Sequence, residues 1–316
     1  MNIDKLSSGC PVEVPLKVNL VEVGPRDGFQ SVTAFIPTGE KEEIIRGLND
    51  SGLSRIEITS VVSERAVPQL SDAKSIIHVG NQLSACRPQI LVPNLRYAEK
   101  ALDFGAKKLV FVVSASPTHN QQNVRLSVEE SVAQLRAIHS LHPSETSMRV
   151  NIATALDCPF EGAMCISKVT NLVDEILAIS SNLELAICDT TGRCPPTKVT
   201  ELFRSLNTLF DFQEWVFHAH DTFGTGIANC LAAWREGVDT FDSSVAGLGG
   251  CPFAPGSSGN VATEDLVWLF REMSVDTGVH LDKLIEVANR VGSLSTALTG
   301  GKVRHAYNNR REETAD

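Results

Sequence analysis

Two histidines, spaced two residues apart, are the side chains of this sequence best suited to bind a metal ion. His218 and His220 lie in an apolar run that begins at Trp215 and is typical of a β-strand. Side chains alternate between the two faces of a strand, so both imidazoles should point the same way. The pair offers two nitrogen ligands to one cation, although such a pair can also be a buried structural feature.

A glycine-rich segment carries a second group of side chains that could do chemistry. Glycines at positions 247, 249, 250, 256 and 259 permit turns that other residues resist, and loops of this kind frequently carry function. Cys251 lies within the segment and Asn260 directly follows it. An unperturbed thiol is mostly protonated at neutral pH, so Cys251 is suited to act as a general acid. The alternative is an inert cysteine.

Strands and helices alternate along the chain and indicate how these residues are positioned. Leu109–Val113 is apolar throughout, as expected of a parallel strand buried on both faces. Eight units of strand and helix are typical of an α/β fold, the (β/α)8 TIM barrel, closed by right-handed crossovers. A doubly wound open sheet is the main alternative.

The predicted strands are Lys17–Val23, Arg55–Ser60, Ile90–Val92, Leu109–Val113, Arg149–Ala153, Glu184–Cys188, the run from Trp215 and Val238–Asp242. The predicted helices are Thr38–Ser51, Gln69–His78, Leu95–Phe104, one from Ser127 with a capping box, Ser167–Ile179, Pro196–Leu209, Ile227–Glu236 and one from Ala262. A further C-terminal helix is expected within His280–Leu298. We therefore expect an N-terminal extension over residues 1–16, a barrel domain with this C-terminal helix over 17–298, and a polar tail over 299–316.

Polar residues occur where several predicted strands end, and the active site of a barrel lies at those carboxyl ends. Mixed nitrogen and oxygen ligands without a thiolate favour Mg²⁺, Mn²⁺ or Co²⁺ over a structural zinc. Such a cation is a Lewis acid, and an adjacent guanidinium suits a developing enolate oxygen. The predicted ligands are Asp27, His218, His220 and the amide oxygen of Asn260, with Arg26, Glu57 and Asp189 nearby.

Each of these charged residues also has a purely structural interpretation. Arg26 and Asp27 could form a structural salt bridge in a turn. Glu22 and Glu57 could form a polar layer inside the barrel.

Composition excludes several other classes of function. The net charge of −10 argues against nucleic acid or an anionic membrane surface as a partner. No apolar run approaches the roughly 20 residues that span a bilayer, and the N-terminus lacks the features of a signal peptide. Eight scattered cysteines without a Cys-x-x-Cys motif suit free thiols, so we expect a cytoplasmic protein.

Several segments together resemble 3-hydroxy-3-methylglutaryl-coenzyme A lyases, which are metal-dependent barrels related to isopropylmalate and homocitrate synthases. The resemblance extends over about residues 17–298. The most specific match is His-Ala-His-Asp-Thr-Phe-Gly at 218–224, together with the run from Asp242 to Asp265. The other matching segments are Val-Glu-Val-Gly-Pro-Arg-Asp-Gly-Phe-Gln at 21–30, Ile-Glu-Ile-Thr-Ser at 56–60, Ser-Ala-Ser-Pro-Thr-His-Asn at 114–120 and Asp-Cys-Pro-Phe-Glu-Gly at 157–162.

The resemblance implies a retro-Claisen cleavage of an acyl-CoA substrate with Mg²⁺ or Mn²⁺, carried out by a homodimer. It implies that Asp27, His218, His220 and Asn260 bind the cation and that Cys251 protonates the leaving enolate. His218, Asp27 or a water is the candidate base for the C3 hydroxyl. The residues that it assigns to catalysis are Cys251, Arg26, His218, Glu57 and Asp189, and those that it assigns to substrate binding are Arg26, Gln30 and Glu264.

Departures from the family pattern bear on the acyl group and not on the metal ligands. Ser31-Val-Thr-Ala34 replaces a charged stretch, and Asp157 stands where glycine is usual. A related substrate such as citramalyl-CoA or a longer-branched glutaryl-CoA, a Claisen-type synthase, and a non-catalytic barrel are the alternatives. Lys107, Lys108, Arg125 and Lys302 are the cations available for the phosphates of CoA.

Overall fold

The chain folds into a closed barrel of eight parallel strands. The computed structural model describes residues 14–141, 146–250 and 259–313. The strands are Asn19–Glu22 (β1), Arg55–Ser60 (β2), Arg87–Leu91 (β3), Lys108–Ser114 (β4), Ser147–Ala153 (β5), Glu184–Asp189 (β6), Trp215–Ala219 (β7) and Thr240–Ser243 (β8). Their order around the barrel is β1-β8-β7-β6-β5-β4-β3-β2, and β1 pairs with both β8 and β2. The predicted TIM barrel is confirmed, and the open-sheet alternative is wrong.

Helices surround the barrel and alternate with its strands. The helices are Thr38–Asp50 (α1), Ala73–Gln82 (α2), Leu95–Asp103 (α3), Pro117–Val124 (α4), Val128–Leu141 (α5), Ile166–Leu177 (α6), Pro196–Leu209 (α7), Gly226–Arg235 (α8), Thr263–Glu272 (α9), Leu281–Gly292 (α10) and Lys302–Glu313 (α11). Three of them are additional to the one helix that follows each strand: α4, which lies between β4 and α5, and the C-terminal pair α10 and α11. A short antiparallel hairpin pairs Asp157–Cys158 with Gly162–Ala163.

Local signals in the sequence account for several helix boundaries. The predicted capping box at the start of α5 is present: Ser127 Oγ accepts from Glu130 N at 3.1 Å, and Glu130 Oε2 accepts from Ser127 N at 2.8 Å. Helix α2 begins at Ala73, later than predicted, because Pro68–Leu70 forms a separate 3-10 turn. The segment described above only as a polar tail contains α11.

The apolar core lies between the strands and the surrounding helices, whereas the barrel interior is largely polar. Most buried apolar side chains form one continuous cluster. Ala186, Cys188 and Val216 form a separate small cluster, and their register places them on one face of β6 and β7. Inside the barrel, Arg149 on β5 is paired with Asp242 on β8, two strands that are not neighbours. An ionic network therefore occupies space that branched apolar residues commonly fill in such barrels.

Among the helices of residues 14–141, 146–250 and 259–313, none combines the length and the apolar character that a membrane span requires.

Candidate active site

A π-helical turn at Gly24–Gly28 directly follows β1 and carries Arg26 and Asp27. The Val23 carbonyl accepts from Arg26 N at 3.1 Å and from Asp27 N at 2.7 Å. Position 24 needs glycine, because an added Cβ would lie 2.6 Å from Glu22 Oε1. Single π turns are rare and frequently occur at functional sites, and this one presents both side chains at the carboxyl end of the barrel.

Asp27, His218 and His220 meet at that end of the barrel. One ligand atom from each of the three lies within 4.8 Å of the others. The two imidazole centroids are 5.1 Å apart, as expected for neighbours on one strand face. Asn260 joins them, because an antiparallel bridge pairs it with His220 and its Nδ2 donates to Asp27 Oδ2 at 2.8 Å. The structure thus brings together the four side chains predicted to bind a cation.

The protonation states of this group suit a divalent cation. Burial, together with repulsion from His218, lowers the pKa of His220 to about 4, so its ring is neutral at pH 7. Burial would raise the pKa of Asp27, but attraction to Arg26 and to the two histidines outweighs it and lowers that pKa to about 2. Metal ligands must be deprotonated, and both residues meet that requirement.

Two buried atoms of the group are left without a hydrogen-bond partner. Within the described part of the chain, neither Asn260 Oδ1 nor His220 Nδ1 has one. Buried polar atoms are almost always satisfied, so each such atom calls for an explanation. An amide oxygen, an imidazole nitrogen and a carboxylate are ligands of Mg²⁺ and Mn²⁺. The donor set therefore fits a divalent cation.

Arg26 joins two carboxylates beside this group. Its Nε donates to Glu57 Oε1, and its Nη1 donates to Asp27 Oδ1 at 2.5 Å. Burial would lower the pKa of Arg26, but Glu57 and Asp27 outweigh it and raise that pKa, so the guanidinium stays charged. The salt bridge that we considered as a structural alternative is real, and it forms part of the site. Glu57 is fully buried and contacts Arg26 rather than Glu22.

Two residues that the sequence analysis did not single out support His218. Asp242 Oδ2 lies 3.0 Å from His218 Nδ1, and Arg149 Nη1 donates to Asp242 Oδ1 at 2.9 Å. Burial would raise the pKa of Asp242, but Arg149 and His218 hold it well below its usual range. The sequence does contain a signal for this pair, because Arg149 and Asp242 are charged residues within predicted buried strands. Such residues are rare unless they are paired.

Asp189 lies at the end of β6, but its side chain is turned away from His218. Cys188 is in register with His218, so Asp189 belongs to the opposite face of its strand. Its carboxylate is fully buried and accepts from Gly192 N at 3.1 Å and from Asn229 Nδ2 at 3.3 Å. Burial raises its pKa to about 7. These contacts support a role in holding the loop after β6, and a catalytic role stays a prediction.

The remaining predicted residues are Gln30, Glu264 and Cys251. Gln30 is exposed, and its Nε2 donates to Asp27 Oδ1 at 3.2 Å, which is a position open to a substrate. Glu264 is fully buried, and its Oε2 accepts from Ala246 N at 3.0 Å in the segment that leads into the glycine-rich loop. A direct contact between Glu264 and the substrate stays a prediction. Cys251 lies outside the described residues.

Two of the cations considered for the CoA phosphates lie at the wrong end of the barrel. Lys108 is the first residue of β4, and Lys107 precedes it, so both belong to the amino-terminal ends of the strands. The candidate metal ligands lie at the carboxyl ends. Lys107 and Lys108 are therefore excluded as phosphate contacts for a substrate at that group.

The fold and this group of side chains define a (β/α)8 barrel with a candidate divalent-metal centre at the carboxyl ends of its strands. The chain belongs to the HMGL-like family, whose model matches residues 17–291. It is accordingly an enzyme of the carbon–carbon lyase class, in a family that in general depends on a divalent metal.

Curated relatives and solved structures cover most of the chain. The hydroxymethylglutaryl-CoA lyase YngG of Bacillus subtilis is 38% identical over 87% of this chain and 92% of its own length. The mitochondrial hydroxymethylglutaryl-CoA lyase of Arabidopsis thaliana is 37% identical over 99% of this chain, which spans 66% of that longer protein. A solved HMG-CoA lyase from Acinetobacter baumannii, in complex with coenzyme A and 3-methylmalate, superposes with a TM-score of 0.87 at 35% identity, over 92% of this chain and 95% of that one.

Proposed function

We propose that this protein cleaves 3-hydroxy-3-methylglutaryl-CoA into acetyl-CoA and acetoacetate with the help of a bound divalent cation. The observation that carries the proposal is the arrangement of Asp27, His218 and His220, whose ligand atoms lie within 4.8 Å of one another. Arg26 contacts Asp27 and so places a positive charge beside them. The relatives named hydroxymethylglutaryl-CoA lyases, and the related structure that holds coenzyme A, support this class of substrate.

Asp27, His218, His220 and Asn260 would hold the cation, and their oxygen and nitrogen atoms favour Mg²⁺ or Mn²⁺. When bound, the cation supplies Lewis acidity toward chelating oxygens of the substrate. The contact between His218 Nδ1 and Asp242 favours the tautomer with hydrogen on Nδ1, which leaves the Nε2 lone pair available.

Arg26 would stabilise the negative charge that develops on the thioester oxygen. Glu57 and Asp27 engage two of its nitrogens, which fixes the plane of the guanidinium before the substrate arrives. A preorganised charge in a water-poor site stabilises an enolate more than a solvated charge does. Gln30, exposed beside Asp27, would contact the same substrate.

The reaction moves one proton off the substrate and one onto it. A base removes the proton of the C3 hydroxyl, the bond between C2 and C3 breaks, and its electron pair passes to the acetyl-CoA enolate. Cys251 then donates a proton to C2. His218, Asp27 and a water remain the three candidates for the base. Asp189 is kept as a proposed catalytic residue and Glu264 as a proposed substrate-binding residue, and both also hold the segments that they contact.

The proposal is tested by following acetyl-CoA release from 3-hydroxy-3-methylglutaryl-CoA with Mg²⁺ or Mn²⁺, and with EDTA as a control. We expect metal-dependent release that Cys251→Ala abolishes while the variant still binds Mn²⁺. Cys86→Ala is the matched control, because Cys86 directly precedes β3, at the amino-terminal end of the barrel and opposite the candidate metal centre, and should leave the rate unchanged. A wild-type rate in Cys251→Ala would contradict the assignment of the acid.

The same assay examines the acyl group. Citramalyl-CoA and a longer-branched glutaryl-CoA serve as comparison substrates, because Ser31-Val-Thr-Ala34 lies beside Gln30 and lacks charge. Faster cleavage of either compound would change the assigned substrate but leave the proposed mechanism unchanged. If none of the three compounds is cleaved in a metal-dependent way, the proposed function is contradicted. Condensation of acetyl-CoA with a 2-oxo acid would then be the favoured reaction.

Two further properties are part of the proposal. We propose a cytoplasmic location, supported by the six cysteines of the described residues, which are all free thiols. We also propose a homodimer. Light scattering on a size-exclusion column would contradict the dimer by giving a mass near the 34.2 kDa of one chain.

A further inference from the structure

A second cavity opens at the amino-terminal end of the barrel, opposite the candidate metal centre. Its volume is about 370 Å³. Its walls include the first residues of β2, β3, β4 and β6, and strand starts and strand ends lie at opposite mouths of a parallel barrel. We call it the barrel-base cavity. The residues of its lining used below are Arg55, Arg87, Gln89, Lys107, Lys108 and Glu184.

The lining of the barrel-base cavity is strongly positive in a chain whose net charge is −10. Four cationic side chains face one carboxylate. Glu184 is already engaged, because it accepts from Arg55 Nη2 at 2.7 Å and from Lys108 Nζ at 2.9 Å. Within residues 14–141, 146–250 and 259–313, neither Arg87 nor Lys107 forms an ion pair. Positive charge in this cavity therefore exceeds what its own carboxylate can neutralise.

The register of the sheet concentrates this charge. Arg55 and Arg87 are direct partners on the neighbouring strands β2 and β3. Like charges on adjacent strands repel each other and are normally avoided. Burial, followed by repulsion from Arg55 and Arg149, lowers the pKa of Lys108 to about 8, even though Glu184 acts in the opposite direction. An anion in the cavity would relieve both effects.

A buried amide in the same lining also calls for a ligand. Gln89 is fully buried, and among the described residues neither its Oε1 nor its Nε2 has a hydrogen-bond partner. A buried amide that bonds to nothing is costly and uncommon. The Nε2 group of Gln89 is a hydrogen-bond donor, and so are the guanidinium and ammonium groups around it. Both the unpaired amide and the excess of positive charge therefore favour a ligand that accepts hydrogen bonds.

We propose that the barrel-base cavity binds a small dianion whose oxygens accept hydrogen bonds from Gln89 Nε2 and from the guanidinium and ammonium groups of Arg87 and Lys107. Guanidinium groups favour carboxylate and phosphate oxygens, since both match their fork of donors. A phosphate-type oxyanion and a short dicarboxylate share this chemistry. Occupancy stabilises the folded chain, because the ligand binds the native state only.

The test is calorimetric titration of the metal-loaded full chain with sulfate and with succinate, with chloride as the control at constant ionic strength. We expect one site per chain for at least one dianion, and no site for chloride. Tighter binding of sulfate identifies a phosphate-type ligand, and tighter binding of succinate identifies a dicarboxylate.

Two variants connect the titration to this cavity. Arg87→Gln and Gln89→Leu should each weaken binding by about tenfold, since each removes a charged or polar contact. Arg46→Gln is the matched control, because Arg46 is exposed on α1 and is not part of the cavity lining, so it should leave the affinity unchanged. Arg87 is exposed at the start of β3, so Arg87→Gln should fold normally, and cooperative thermal unfolding checks this.

One further variant separates this site from the candidate metal centre. His220→Ala should bind the dianion as the wild type does, whereas loss of binding there would place the anion at the metal ligands and overturn the proposal. Equal affinity in the wild type, Arg87→Gln and Gln89→Leu would also overturn it. Arg87→Gln should keep its rate of acyl-CoA cleavage, so failure of the proposed function and failure of the anion site are distinguishable.

Discussion

Arg149 and Asp242 form a two-contact ion pair across the inside of the barrel. Arg149 Nη1 donates to Oδ1 at 2.9 Å and Nη2 donates to Oδ2, while β5 and β8, which carry the two residues, are not neighbouring strands. The same Oδ2 atom lies 3.0 Å from His218 Nδ1. The orientation of a candidate metal ligand is thus fixed by an arginine on the far side of the barrel, and such supporting contacts commonly tune metal affinity.

Asp242→Asn should weaken Mn²⁺ binding by about 10–100-fold, because His218 loses the carboxylate that orients its ring. It should also lower the free energy of unfolding by about 3 kcal/mol, since Arg149 is left buried opposite a neutral partner. Calorimetric titration with Mn²⁺ and urea unfolding measure the two effects. Glu272→Gln is the control, because Glu272 and its partner Arg271 are both about half exposed and the loss should stay below about 1 kcal/mol. Wild-type Mn²⁺ affinity in Asp242→Asn would contradict the supporting role.

The positions of the candidate metal ligands were predictable from sequence, whereas the residues that support them were not. In a parallel barrel, position along a strand decides which end a side chain reaches, so Asp27 and His220 could be assigned to one rim without coordinates. The pairing of Arg149 with Asp242 depends on which strands face each other across the interior. That information is absent from local periodicity, because the two residues are far apart in the chain.

Some elements escaped prediction because their sequences lack an apolar stripe. Helix α4, Pro-Thr-His-Asn-Gln-Gln-Asn-Val, is polar throughout and is started by Pro117 and by Ser116, whose Oγ accepts from His119 N at 3.1 Å. Helix α11 is similarly polar, although its Arg304 is buried. The orientation of Asp189 was missed for another reason: it ends its strand, as predicted, but on the face that points away from His218.

Removal of the cation should destabilise the protein. A ligand that binds only the native state adds about 2.7 kcal/mol at 100 times its Kd, so saturating Mg²⁺ or Mn²⁺ should raise the melting temperature and EDTA should reverse the rise. His220→Ala should abolish the rise, because it removes a nitrogen ligand. His280→Ala is the control, since His280 is exposed before α10 and away from the metal-ligand group. The same metal-induced rise in His220→Ala and the wild type would exclude this site.

Gly249→Ala should weaken Mn²⁺ binding by about tenfold without contacting the cation. An added Cβ would lie 2.6 Å from Asn260 Nδ2, and Gly249 has φ of +150°, so the new side chain must displace the buried amide. Calorimetry with Mn²⁺ gives the affinity. In Gly39→Ala, the control, the new Cβ meets nothing within 4 Å and the affinity should be unchanged. Unchanged affinity in Gly249→Ala would show that Asn260 is not held against this glycine.

Glu264 should make the stability of the chain depend on pH in the neutral range. Burial, together with repulsion from Asp265 and Glu22, raises its pKa from 4.5 to about 8. Between these values the folded state binds more protons at this site than the unfolded state, so stability falls as pH rises from about 4.5 to 8. Glu22 acts in the same direction, because burial raises its pKa to about 7.

Glu264→Gln should flatten this dependence, because the amide cannot ionise. In urea unfolding with EDTA present, which removes the linkage between metal and proton binding, the wild type should lose stability between pH 5 and pH 8. The loss should be at least about 1 kcal/mol smaller in the variant. Glu99→Gln, on the exposed face of α3, should keep the wild-type dependence. Equal losses of stability in Glu264→Gln and the wild type over this range would contradict the raised pKa of Glu264.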